Sequence, residues 1–519
     1  MSKTFLEKLL DFYQISYEEY LLKTKDIDLA SFASGHQFND IDKAVNLVKE
    51  VIAHKGKIIV YGDYDCDGVM GTSILVKMFE YLDVVVDYYL TNRYEDGYGL
   101  NEKHAQEYIK AGYELVITVD NGISCFEPIR LLKEAGIKVL ILDHHQVQDD
   151  VPCADAICHP TYSKFGETAS SGAFTAFVFS IALLGRTDKY LATLAAISLI
   201  SDMMPLFEYN RDLLRSVFKI YKPGEFLAID LLADHEALDE NIIGMKIAPR
   251  INSIGRLAED SSINEIVKYF ITNDKDFVLS YFAHILDMNE IRKNLSKENS
   301  DFAGLDASEG ALVIKGEYKE GIIGLIANTL VNKYHVPVVV FTKASDGSYK
   351  GSARAPEGFN IVGAFTTLSE YLITFGGHAL AGGCSVSEEN YETFKNEFIA
   401  LIKATPFEYV EHPCIDVIFS EINSENLDLI NSFAPFGEGW PSPTLRLKRI
   451  KTSALTFSKD EKHIITSLGQ SLRLVGFGFP KADVLDNPYI DVKGMMKYSY
   501  YRGLVSIEFN IKEISPSKN

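Results

Sequence analysis

The sequence predicts an α/β protein with two α/β lobes joined by a long helix, followed by a C-terminal β-barrel of the OB type. Strands that are apolar at every position, alternating with amphipathic stretches, indicate a doubly wound parallel sheet covered on both faces. The apolar runs lie at residues 58–60, 115–119 and 139–142 in the first lobe, and at 311–314 and 336–341 in the second. Residues 445–450 and 505–511 alternate with a period near two, as half-buried strands of a small barrel do.

The length of the chain, 519 residues, is enough for roughly two to four domains. The predicted units are an N-terminal helical lead-in (1–55), the first α/β lobe (56–210), a helical connector (211–305), the second α/β lobe (306–405) and an OB-like domain (406–519). Residues 274–301 contain neither Gly nor Pro and have apolar residues at helical spacing. This stretch predicts the long helix that joins the lobes.

The composition is typical of a globular protein without a membrane anchor. Apolar residues make up 47% of the chain, yet it has no stretch of about 18 uncharged apolar residues and no secretory pattern at its N-terminus. The six cysteines include no Cys-x-x-Cys pair, which favours reduced thiols and a cytoplasmic location. The formal net charge of -21 predicts weak non-specific binding to duplex DNA, with few phosphate contacts and a contribution from stacking.

Three aspartates follow the first apolar run at every second position, at Asp63, Asp65 and Asp67. Residues two apart in an extended chain point to the same side, so three carboxylates would repel one another unless a cation lay among them. Oxygen ligands favour Mg²⁺ or Mn²⁺. The alternative is an acidic turn after a strand, which Gly68 would also suit.

The same pattern returns at two more strand ends. Residues 115–119 run into Asp120-Asn121-Gly122, and residues 139–142 run into Asp143-His144-His145. Ligands of α/β sheets bind beyond the carboxyl ends of the parallel strands, so these polar groups are expected to share one site. A fourth candidate, Asp202, ends a long apolar stretch, although that residue alone is better explained as a helix end or a turn.

Four motifs in this order and spacing resemble those of the DHH phosphoesterases, and within them the bacterial RecJ single-stranded-DNA-specific exonucleases. The motifs are Asp63-Tyr64-Asp65-Cys66-Asp67-Gly68, Asp120-Asn121-Gly122, Asp143-His144-His145 and Ser201-Asp202-Met203-Met204-Pro205-Leu206. Three further segments resemble the RecJ segment between the catalytic lobes, the glycine-histidine motif of the DHHA1 lobe, and the approach to the OB domain. They are residues 249–257, 376–383 and 434–439.

The resemblance extends from about residue 55 to near the C-terminus. The chain departs from the family at Ser201, where alanine is commoner, at Trp440, where asparagine is commoner, and in its loosely matching C-terminal stretch. The resemblance implies a DHH catalytic lobe at 56–210, a DHHA1 substrate-binding lobe at 306–405 and a nucleic-acid-binding domain at 406–519. The implied activity is 5′→3′ hydrolysis of single-stranded DNA to mononucleotides in DNA repair and recombination.

We expect two divalent ions, Mn²⁺ or Mg²⁺, roughly 3.5–4 Å apart as in two-metal phosphodiesterases. One ion would make hydroxide available near neutral pH, and the other would stabilise charge on the phosphate and the leaving oxygen. Asp120 is the best candidate to bridge both ions. Asp63 and Asp143 are expected to orient ligands, and His145 to contact the scissile phosphate. Asn121 either does the same or satisfies its turn. The expected metal ligands are Asp65, Asp67, Asp120, His144 and Asp202.

The expected substrate-binding residues are Arg93, Arg250, Asn252, Arg256, Ser352, Arg354, Gly377 and His378. Ser352 and Arg354 are two residues apart and would share a face of an extended segment, where the guanidinium can bind a phosphate bidentately. Gly377 beside His378 would let a phosphate chain approach closely, although an ordinary turn explains it as well. The resemblance to RecJ-like enzymes implies that residues at four matching positions hold the 5′ phosphate, which sets the polarity of cleavage. These residues are Arg93, Arg256, Ser352 and Arg354.

Basic and aromatic residues recur in the C-terminal region, at Arg446, Lys448, Arg449, Lys451, Tyr498, Tyr500 and Tyr501. They suit a groove for single strands, and a solvated strand face explains them equally well. The expected substrate is single-stranded DNA with a 5′ phosphate. A single-strand-binding protein or a helicase is the expected kind of protein partner. We expect a monomer with no membrane association.

Three other functions are open from the sequence. A DHH phosphodiesterase for short oligonucleotides or cyclic dinucleotides would share the first lobe, but such enzymes are commonly shorter and lack the C-terminal β domain. A non-catalytic relative that serves as a replication scaffold would have lost metal ligands, whereas every expected ligand is present. An inorganic pyrophosphatase would share the first-lobe chemistry, and residues 250–257 and the extra domain argue against it.

Overall fold

The computed structural model describes residues 3–34, 38–147, 150–163, 169–258, 263–298, 305–344, 346–405, 407, 412–468, 472–501 and 504–517. The described chain begins with helices α1 (Phe5–Tyr13), α2 (Tyr17–Lys23) and α3 (Ile41–Ala53). Capping boxes start the first two helices, because Thr4 and Ser16 each accept the amide of a glutamate three residues later, which bonds back. The predicted N-terminal helical pattern is confirmed.

The first lobe contains a parallel sheet with the strand order β2-β1-β3-β4-β5. Its strands are β1 (Ile58–Gly62), β2 (Asp87–Leu90), β3 (Leu115–Val119), β4 (Lys138–Leu142) and β5 (Ala156–Cys158). Its helices are α4 (Cys66–Glu80), α5 (Glu102–Lys110), α6 (Phe126–Glu134), α7 (Gly172–Leu184) and α8 (Lys189–Ser201). Val60 and Tyr61 of β1 enter different hydrophobic clusters, because helices cover both faces. The predicted doubly wound sheet is confirmed.

The residues after the first lobe are helical, as predicted. The helices are α9 (Glu208–Ile220), α10 (Leu227–Leu232), α11 (Glu240–Ile242), α12 (Ala248–Arg256), α13 (Glu265–Ile271) and α14 (Lys275–Glu298), with a π-helical turn at Ile243–Ile247 before α12. The expected long helix is α14, and residues 299–301 of that prediction lie outside the described residues. Leu213, Ile254 and Ile285 share one hydrophobic cluster with the first lobe, so these helices pack on it rather than only spacing the lobes.

The second lobe contains a mixed sheet with the order β6-β7-β8-β10-β9. Its strands are β6 (Leu312–Gly316), β7 (Val338–Lys343), β8 (Tyr349–Arg354), β9 (Thr374–His378) and β10 (Ala381–Val386). Its helices are α15 (Glu320–Tyr334), α16 (Ile361–Thr367) and α17 (Tyr391–Ala404). The first two strands are parallel and the remaining pairs are antiparallel. The two predicted strands of this lobe are confirmed as β6 and β7.

The C-terminal region forms a mixed sheet with the order β11-β12-β15-β16-β14-β13. Its strands are β11 (Ile415–Val417), β12 (Leu445–Lys451), β13 (His463–Leu468), β14 (Leu472–Phe477), β15 (Tyr489–Tyr501) and β16 (Leu504–Pro516). The helices here are α18 (Ser424–Ser432) and α19 (Lys481–Leu485). Leu445 and Phe509 belong to the same hydrophobic cluster as the first lobe. Among the described helices, none has the length and apolar character needed to cross a bilayer.

Candidate metal centre and phosphate site

Three strand ends of the first lobe meet at one edge of the parallel sheet. Gly62 of β1 pairs with Val119 of β3, and Val119 pairs with Leu142 of β4. The residues that follow these paired positions are Asp63, Asp120 and Asp143. The parallel register therefore brings the three motifs together, as the sequence predicts.

The first motif is held by the starts of two helices. Asp65 caps α4 and accepts the amides of Asp67 at 2.9 Å and Gly68 at 3.2 Å. The Asp67 carboxylate accepts the amides of Gly172 and Ala173 at the start of α7, each at 2.7 Å, and the Ser198 hydroxyl. A helix N-terminus attracts a carboxylate, so α7 holds Asp67 in a fixed position.

Gly172 allows this close approach, because a Cβ there would lie 2.7 Å from the Cα of Asp120. The sequence analysis did not include Gly172 or Ser198 among the site residues. The available signal was Ser171, which caps α7 just before a long apolar run.

His144 lies among carboxylates from three different elements. Its Nε2 is 3.0 Å from Oδ1 of Asp120, and 3.5 Å from an Oδ2 atom of both Asp67 and Asp202. Asp202 caps the C-terminus of α8, as expected for a residue at a helix end. Residues that are widely separated in the sequence therefore converge within ligand distance of one imidazole.

Three sets of side chains have ligand atoms within 4.8 Å of one another. They are Asp120 with His144 and His145, Asp67 with His144 and Asp202, and Asp63 with Asp65 and Asp120. Asp120 and His144 each belong to two sets, which suits adjacent ions that share ligands. The geometry adds Asp63 to the possible ligands, whereas the sequence assigned it an orienting role. We call these residues, together with Asp143, the carboxylate-imidazole cluster.

The carboxylates of this cluster are electrostatically frustrated without a cation. Burial, with repulsion from Asp67 and Asp65, raises the pKa of Asp120 well above its usual range. Burial likewise raises the pKa of Asp202 well above its usual range, and burial with repulsion from Asp65 raises the pKa of Asp63 to about 7. The buried Oδ2 of Asp202 has no hydrogen-bond partner among the described residues. Oxygen and imidazole donors with excess negative charge fit divalent cations such as Mn²⁺ and Mg²⁺.

The two adjacent histidines have opposite electrostatic environments. Burial lowers the pKa of His144 to about 4, so its imidazole is neutral and available as a ligand at neutral pH. Burial also disfavours charge on His145, but its hydrogen bond to Asp143 and the attraction of nearby carboxylates together outweigh burial and raise the pKa of His145 to about 9. Burial would raise the pKa of Asp143, yet His145 and the amide of Ile123 hold this pKa well below its usual range. His145 is therefore a cation at neutral pH.

Two neighbouring side chains refine this picture. The Asn121 side chain is buried and donates to the carbonyls of Val119 at 2.9 Å and Tyr61 at 3.3 Å, which favours the turn-satisfying alternative. Tyr98 was missed by the sequence analysis. Its hydroxyl donates to the Asp120 carbonyl at 3.3 Å, and its ring lies edge-on to His145 at 5.3 Å. The residue as a whole is 49% exposed.

A group of arginines adjoins the carboxylate-imidazole cluster. We define the arginine group as Arg93, Arg256, Arg292 and Arg354. Burial, with repulsion from Arg93, Arg354 and Arg292, lowers the pKa of Arg256 to about 10. Within the described part of the chain, no salt bridge joins these four guanidinium groups to a carboxylate. Guanidinium groups that form no salt bridge and lie close enough to repel one another make this a candidate site for an anion such as phosphate.

The arginine group is built from both lobes and the helices between them. Arg93 lies over the Tyr64 ring at 4.6 Å and donates to its hydroxyl at 2.9 Å. Arg354 donates to Oγ of Ser352 at 3.3 Å, and Arg256 donates to the Gly321 carbonyl at 3.1 Å at the start of α15. Arg292 of α14 was missed by the sequence analysis because it lies in a stretch expected to be a spacer.

The remaining predicted substrate residues lie in other environments. Arg250 forms a bidentate pair with Asp234 at 2.9 and 3.1 Å, so its guanidinium is engaged away from the arginine group. Asn252 accepts the Cys66 amide at 2.8 Å and thereby holds the first motif. Gly377 and His378 lie on the exposed edge strand β9, where His378 pairs with Ala381, which pairs with Arg354. His378 is therefore in the same row as Arg354, two strands away.

Two of the four basic residues predicted for the C-terminal groove, Arg446 and Lys448, are engaged with an acidic neighbour. Arg446 and Lys448 both contact Asp416 at 2.6 Å, and Tyr498 donates to Asp428 at 2.6 Å. The side chains of Tyr500 and Tyr501 lie outside the described residues. For Arg446 and Lys448 the contacts favour the solvated-face alternative over a dedicated single-strand groove.

Family models match three parts of the chain. The DHH family N-terminal domain matches residues 57–199, the DHHA1 domain matches residues 309–404 and the RecJ OB domain matches residues 415–513. The single-stranded-DNA-specific exonuclease RecJ of Haemophilus influenzae is 30% identical over 470 residues, which cover 82% of this chain and 80% of that protein. Fold and site together define a DHH phosphoesterase with DHHA1 and OB domains. The chain belongs to the RecJ family within that class.

Two solved structures are similar to the chain. RecJ from Thermus thermophilus in complex with Mn²⁺ has a TM-score of 0.83 at 22% identity, covering 98% of this chain and 78% of that chain. An exonuclease RecJ bound to manganese has a TM-score of 0.62 at 27% identity, covering 71% of this chain and 96% of that chain. The chain spans 66% of the length of one further curated RecJ relative, from Bacillus subtilis. The predicted fold class, two α/β lobes and an OB-type domain, is confirmed.

Proposed function

We propose that this chain is a metal-dependent 5′→3′ exonuclease that degrades single-stranded DNA to mononucleotides in DNA repair and recombination. One observation carries the proposal: the arginine group adjoins the carboxylate-imidazole cluster, since Arg93 lies on Tyr64 between Asp63 and Asp65. An anion site beside a divalent-cation site suits hydrolysis next to a terminal phosphate. The substrate is supported by the H. influenzae relative, a single-stranded-DNA-specific exonuclease.

We propose that the cluster holds two divalent ions, Mn²⁺ or Mg²⁺. When bound, they would supply hydroxide near neutral pH and stabilise charge on the phosphate and the leaving oxygen. Manganese is supported by the mixed Asp and His donors and by the relative described as bound to manganese. Asp120 suits a bridging position, because it belongs to two of the three ligand sets. The proposed ligands are Asp63, Asp65, Asp67, Asp120, His144 and Asp202.

The protein side chains would orient the scissile phosphate. His145 is charged at neutral pH and would donate a hydrogen bond to a phosphate oxygen, while Asp143 keeps its ring in position. Tyr98 covers one side of His145 and offers its ring to a base. These groups would act on a single nucleotide held at the edge of the first sheet.

The arginine group would set the polarity of cleavage by binding the 5′ phosphate. Arg93 and Arg256 come from the first lobe and its helices, and Arg354 with Ser352 comes from the second lobe. Because the phosphate would be held a short distance from the proposed ions, only the adjacent bond would be cut. Gly377 and His378 remain proposed contacts for the strand beyond this pocket.

We propose further that the enzyme is a cytoplasmic monomer and that a single-strand-binding protein or a helicase delivers its substrate. The five units at 1–55, 56–210, 211–305, 306–405 and 406–519 are our proposed domain division. A phosphodiesterase for short oligonucleotides or cyclic dinucleotides is the second candidate function, since a site for one terminal phosphate would suit it too.

The test is digestion of end-labelled oligonucleotides under Mn²⁺, with and without a 5′ phosphate. The expected result is release of mononucleotides from the 5′ end of long single strands, faster with the phosphate and slower on a duplex. Arg354→Ala should reduce the advantage of the 5′ phosphate. Arg130→Ala is the matched control, because Arg130 pairs with Glu127 and Glu134 on the surface of α6. Hydrolysis of dinucleotides alone would favour the second candidate function.

A further inference from the structure

The Asp202 carboxylate is held by fewer hydrogen bonds from the described residues than those of the other proposed ligands. Asp202 begins a loop, residues 202–207, that we call the Asp202 loop. Asp67 is held by two amides and a hydroxyl. Asp202, by contrast, has a buried Oδ2 without a hydrogen-bond partner among the described residues. The next residue, Met203, has a left-handed φ of 52° and is exposed. Asp202 is the C-cap of α8, and its amide donates to the Ser198 carbonyl at 2.9 Å, so the end of α8 and the loop that follows it together position the carboxylate.

A segment far away in the sequence contacts the end of this loop. We call residues 433–440, which lie between α18 and β12, the 433–440 turn. The amide of Leu206 donates to the Glu438 carbonyl at 2.8 Å. A Cβ at Gly437 would lie 2.9 Å from Cδ1 of Leu206, and a Cβ at Gly439 would lie 2.6 Å from Cζ of Phe207. The two glycines let the turn pack directly on the loop.

The 433–440 turn is itself fixed in place. The buried guanidinium of Arg211, on the first turn of α9, donates to the carbonyls of Pro435 at 2.8 Å and Phe433 at 2.6 Å. The Trp440 indole donates to the Phe433 carbonyl at 2.9 Å, and its ring stacks on Tyr13 at 4.3 Å. A rigid turn of this kind can act as a template for the loop it touches.

The Asp202 loop is also connected to the residues that precede α7, the helix that holds Asp67. The buried side chain of Asn210 donates to the carbonyls of Pro205 at 2.9 Å and Ala169 at 2.7 Å, and accepts the Ser170 hydroxyl at 2.8 Å. Ala169 and Ser170 precede the start of α7, whose amides hold Asp67. The Asp202 loop is thus clamped between α7 and the 433–440 turn.

We infer that the 433–440 turn positions Asp202 for metal binding, which makes Gly437 and Gly439 positioning residues of the metal centre. The segment between α18 and β12 then completes the site in the first lobe. This inference rests on the proposed function, because it assigns Asp202 to a metal ion. It predicts that a disturbance of the turn weakens metal binding through the loop without touching a ligand.

Gly439→Ala is the test variant, and Gly478→Ala is its matched control. Both glycines are left-handed, with φ of 69° and 77°, so the backbone strain of an alanine is similar. A methyl group at Gly478 meets nothing within 4 Å, whereas at Gly439 it would push Phe207. We would measure Mn²⁺ affinity by calorimetry, exchange of the Leu206 amide by mass spectrometry, and melting temperature.

Gly439→Ala should weaken Mn²⁺ binding by about 10-fold and speed exchange of the loop, while Gly478→Ala leaves both unchanged. Phe207→Leu in the Gly439→Ala background should restore the affinity, which general destabilisation would not explain. Equal Mn²⁺ affinity and equal loop exchange in the two glycine variants would overturn the inference. If Gly439→Ala does not fold, Gly437→Ala tests the same contact through the flexible Leu206.

Failure of the proposed function gives a different result. A wild-type protein that binds no Mn²⁺ would overturn the proposed metal centre. The exchange experiment would then still decide whether the turn holds the loop. Faster exchange in Gly439→Ala alone supports that contact, and equal exchange in both variants rejects it.

Discussion

Tyr98 offers the most direct test of base contact at the metal centre. This residue is half exposed, and its hydroxyl is tethered to the Asp120 carbonyl. Stacking of one base on an aromatic ring contributes about 1–3 kcal/mol. Tyr98→Ala should therefore raise KM for single-stranded DNA by about 5-fold or more, and Tyr98→Phe should keep most of the affinity. Steady-state kinetics on a labelled oligonucleotide decides it, and an unchanged KM in Tyr98→Ala would exclude stacking.

Asp120 gives a second prediction at the same scale. Repulsion and burial make a charged Asp120 unfavourable in the absence of metal, so Asp120→Asn should fold with an undiminished melting temperature. Wild type should gain about 2.7 kcal/mol at a Mn²⁺ concentration about 100 times the dissociation constant, and the variant should gain less and lose turnover. Thermal melts with chelator and with Mn²⁺ measure both effects. Normal turnover in Asp120→Asn would remove this residue from the mechanism.

Sequence reasoning finds the residues that directly follow apolar strands, because the parallel register places all strand ends at one edge. It could not separate Arg250 from Arg256. Six residues along a helix is a rotation of about 240°, so the two side chains leave α12 on different faces. The structure shows Arg250 paired with Asp234 and Arg256 in the arginine group. Which face meets the cleft is decided by packing of α12, which a single sequence does not specify.

Glu240, at the start of α11, should make the stability of the folded protein depend on pH. It accepts the Phe436 amide of the 433–440 turn, and burial raises the pKa of Glu240 from 4.5 to about 7. The folded protein then holds this proton more tightly than the unfolded chain. The stabilisation is full below pH 4.5 and is lost as pH rises through 7. Glu240→Gln should flatten this part of the metal-free stability profile.

Chemical denaturation of wild type and Glu240→Gln across this pH range, in the presence of chelator, checks the prediction. The difference between the two profiles isolates Glu240 from the other buried carboxylates. A difference in unfolding free energy that stays constant with pH would contradict it. Glu236→Gln is a suitable control, because Glu236 is exposed and pairs with Lys246 on the surface.

At the scale of elements, sequence patterns predicted the strands that are buried on both faces. The strands they missed include β2, in which only Leu90 is buried, and β9, whose residues are all exposed, so neither strand has a continuous apolar run. The helical character of the residues in α9 to α14 was also predictable from periodicity. Their packing on the first lobe was not, because a helical apolar stripe does not say which surface it covers.

The first lobe and the C-terminal sheet share one hydrophobic core, whereas the second lobe has separate cores. One hydrophobic cluster extends from the first lobe through Ile254 of α12 to Leu445 of the C-terminal sheet, while the second lobe has clusters of its own. Polar contacts join the second lobe to the first near the arginine group: the Tyr94 hydroxyl donates to the Arg256 carbonyl at 2.6 Å and accepts the Gly321 amide at 3.2 Å. The proposed phosphate site therefore lies where the two lobes meet through polar groups.

The charge of the whole molecule makes a prediction about salt. With a net charge of -21, binding should depend on the arginine group rather than on a broad basic surface. Four arginines can neutralise at most four phosphates of a single strand, which gives a slope of log affinity against log salt of at most about −2.8. We therefore expect a slope no steeper than about −3 for 5′-phosphorylated single strands bound to the Asp120→Asn protein, which should not degrade them.

Adding Arg354→Ala to this protein should make the slope shallower by about 0.7, because one phosphate contact is lost, while adding Arg130→Ala should leave it unchanged. Fluorescence anisotropy over a range of salt concentrations measures these slopes. A slope twice as steep as expected before either arginine is changed would mean that the strand contacts many more cations than the arginine group contains. Such a result would move the main binding surface to the C-terminal sheet, where Arg449 and Lys451 are exposed.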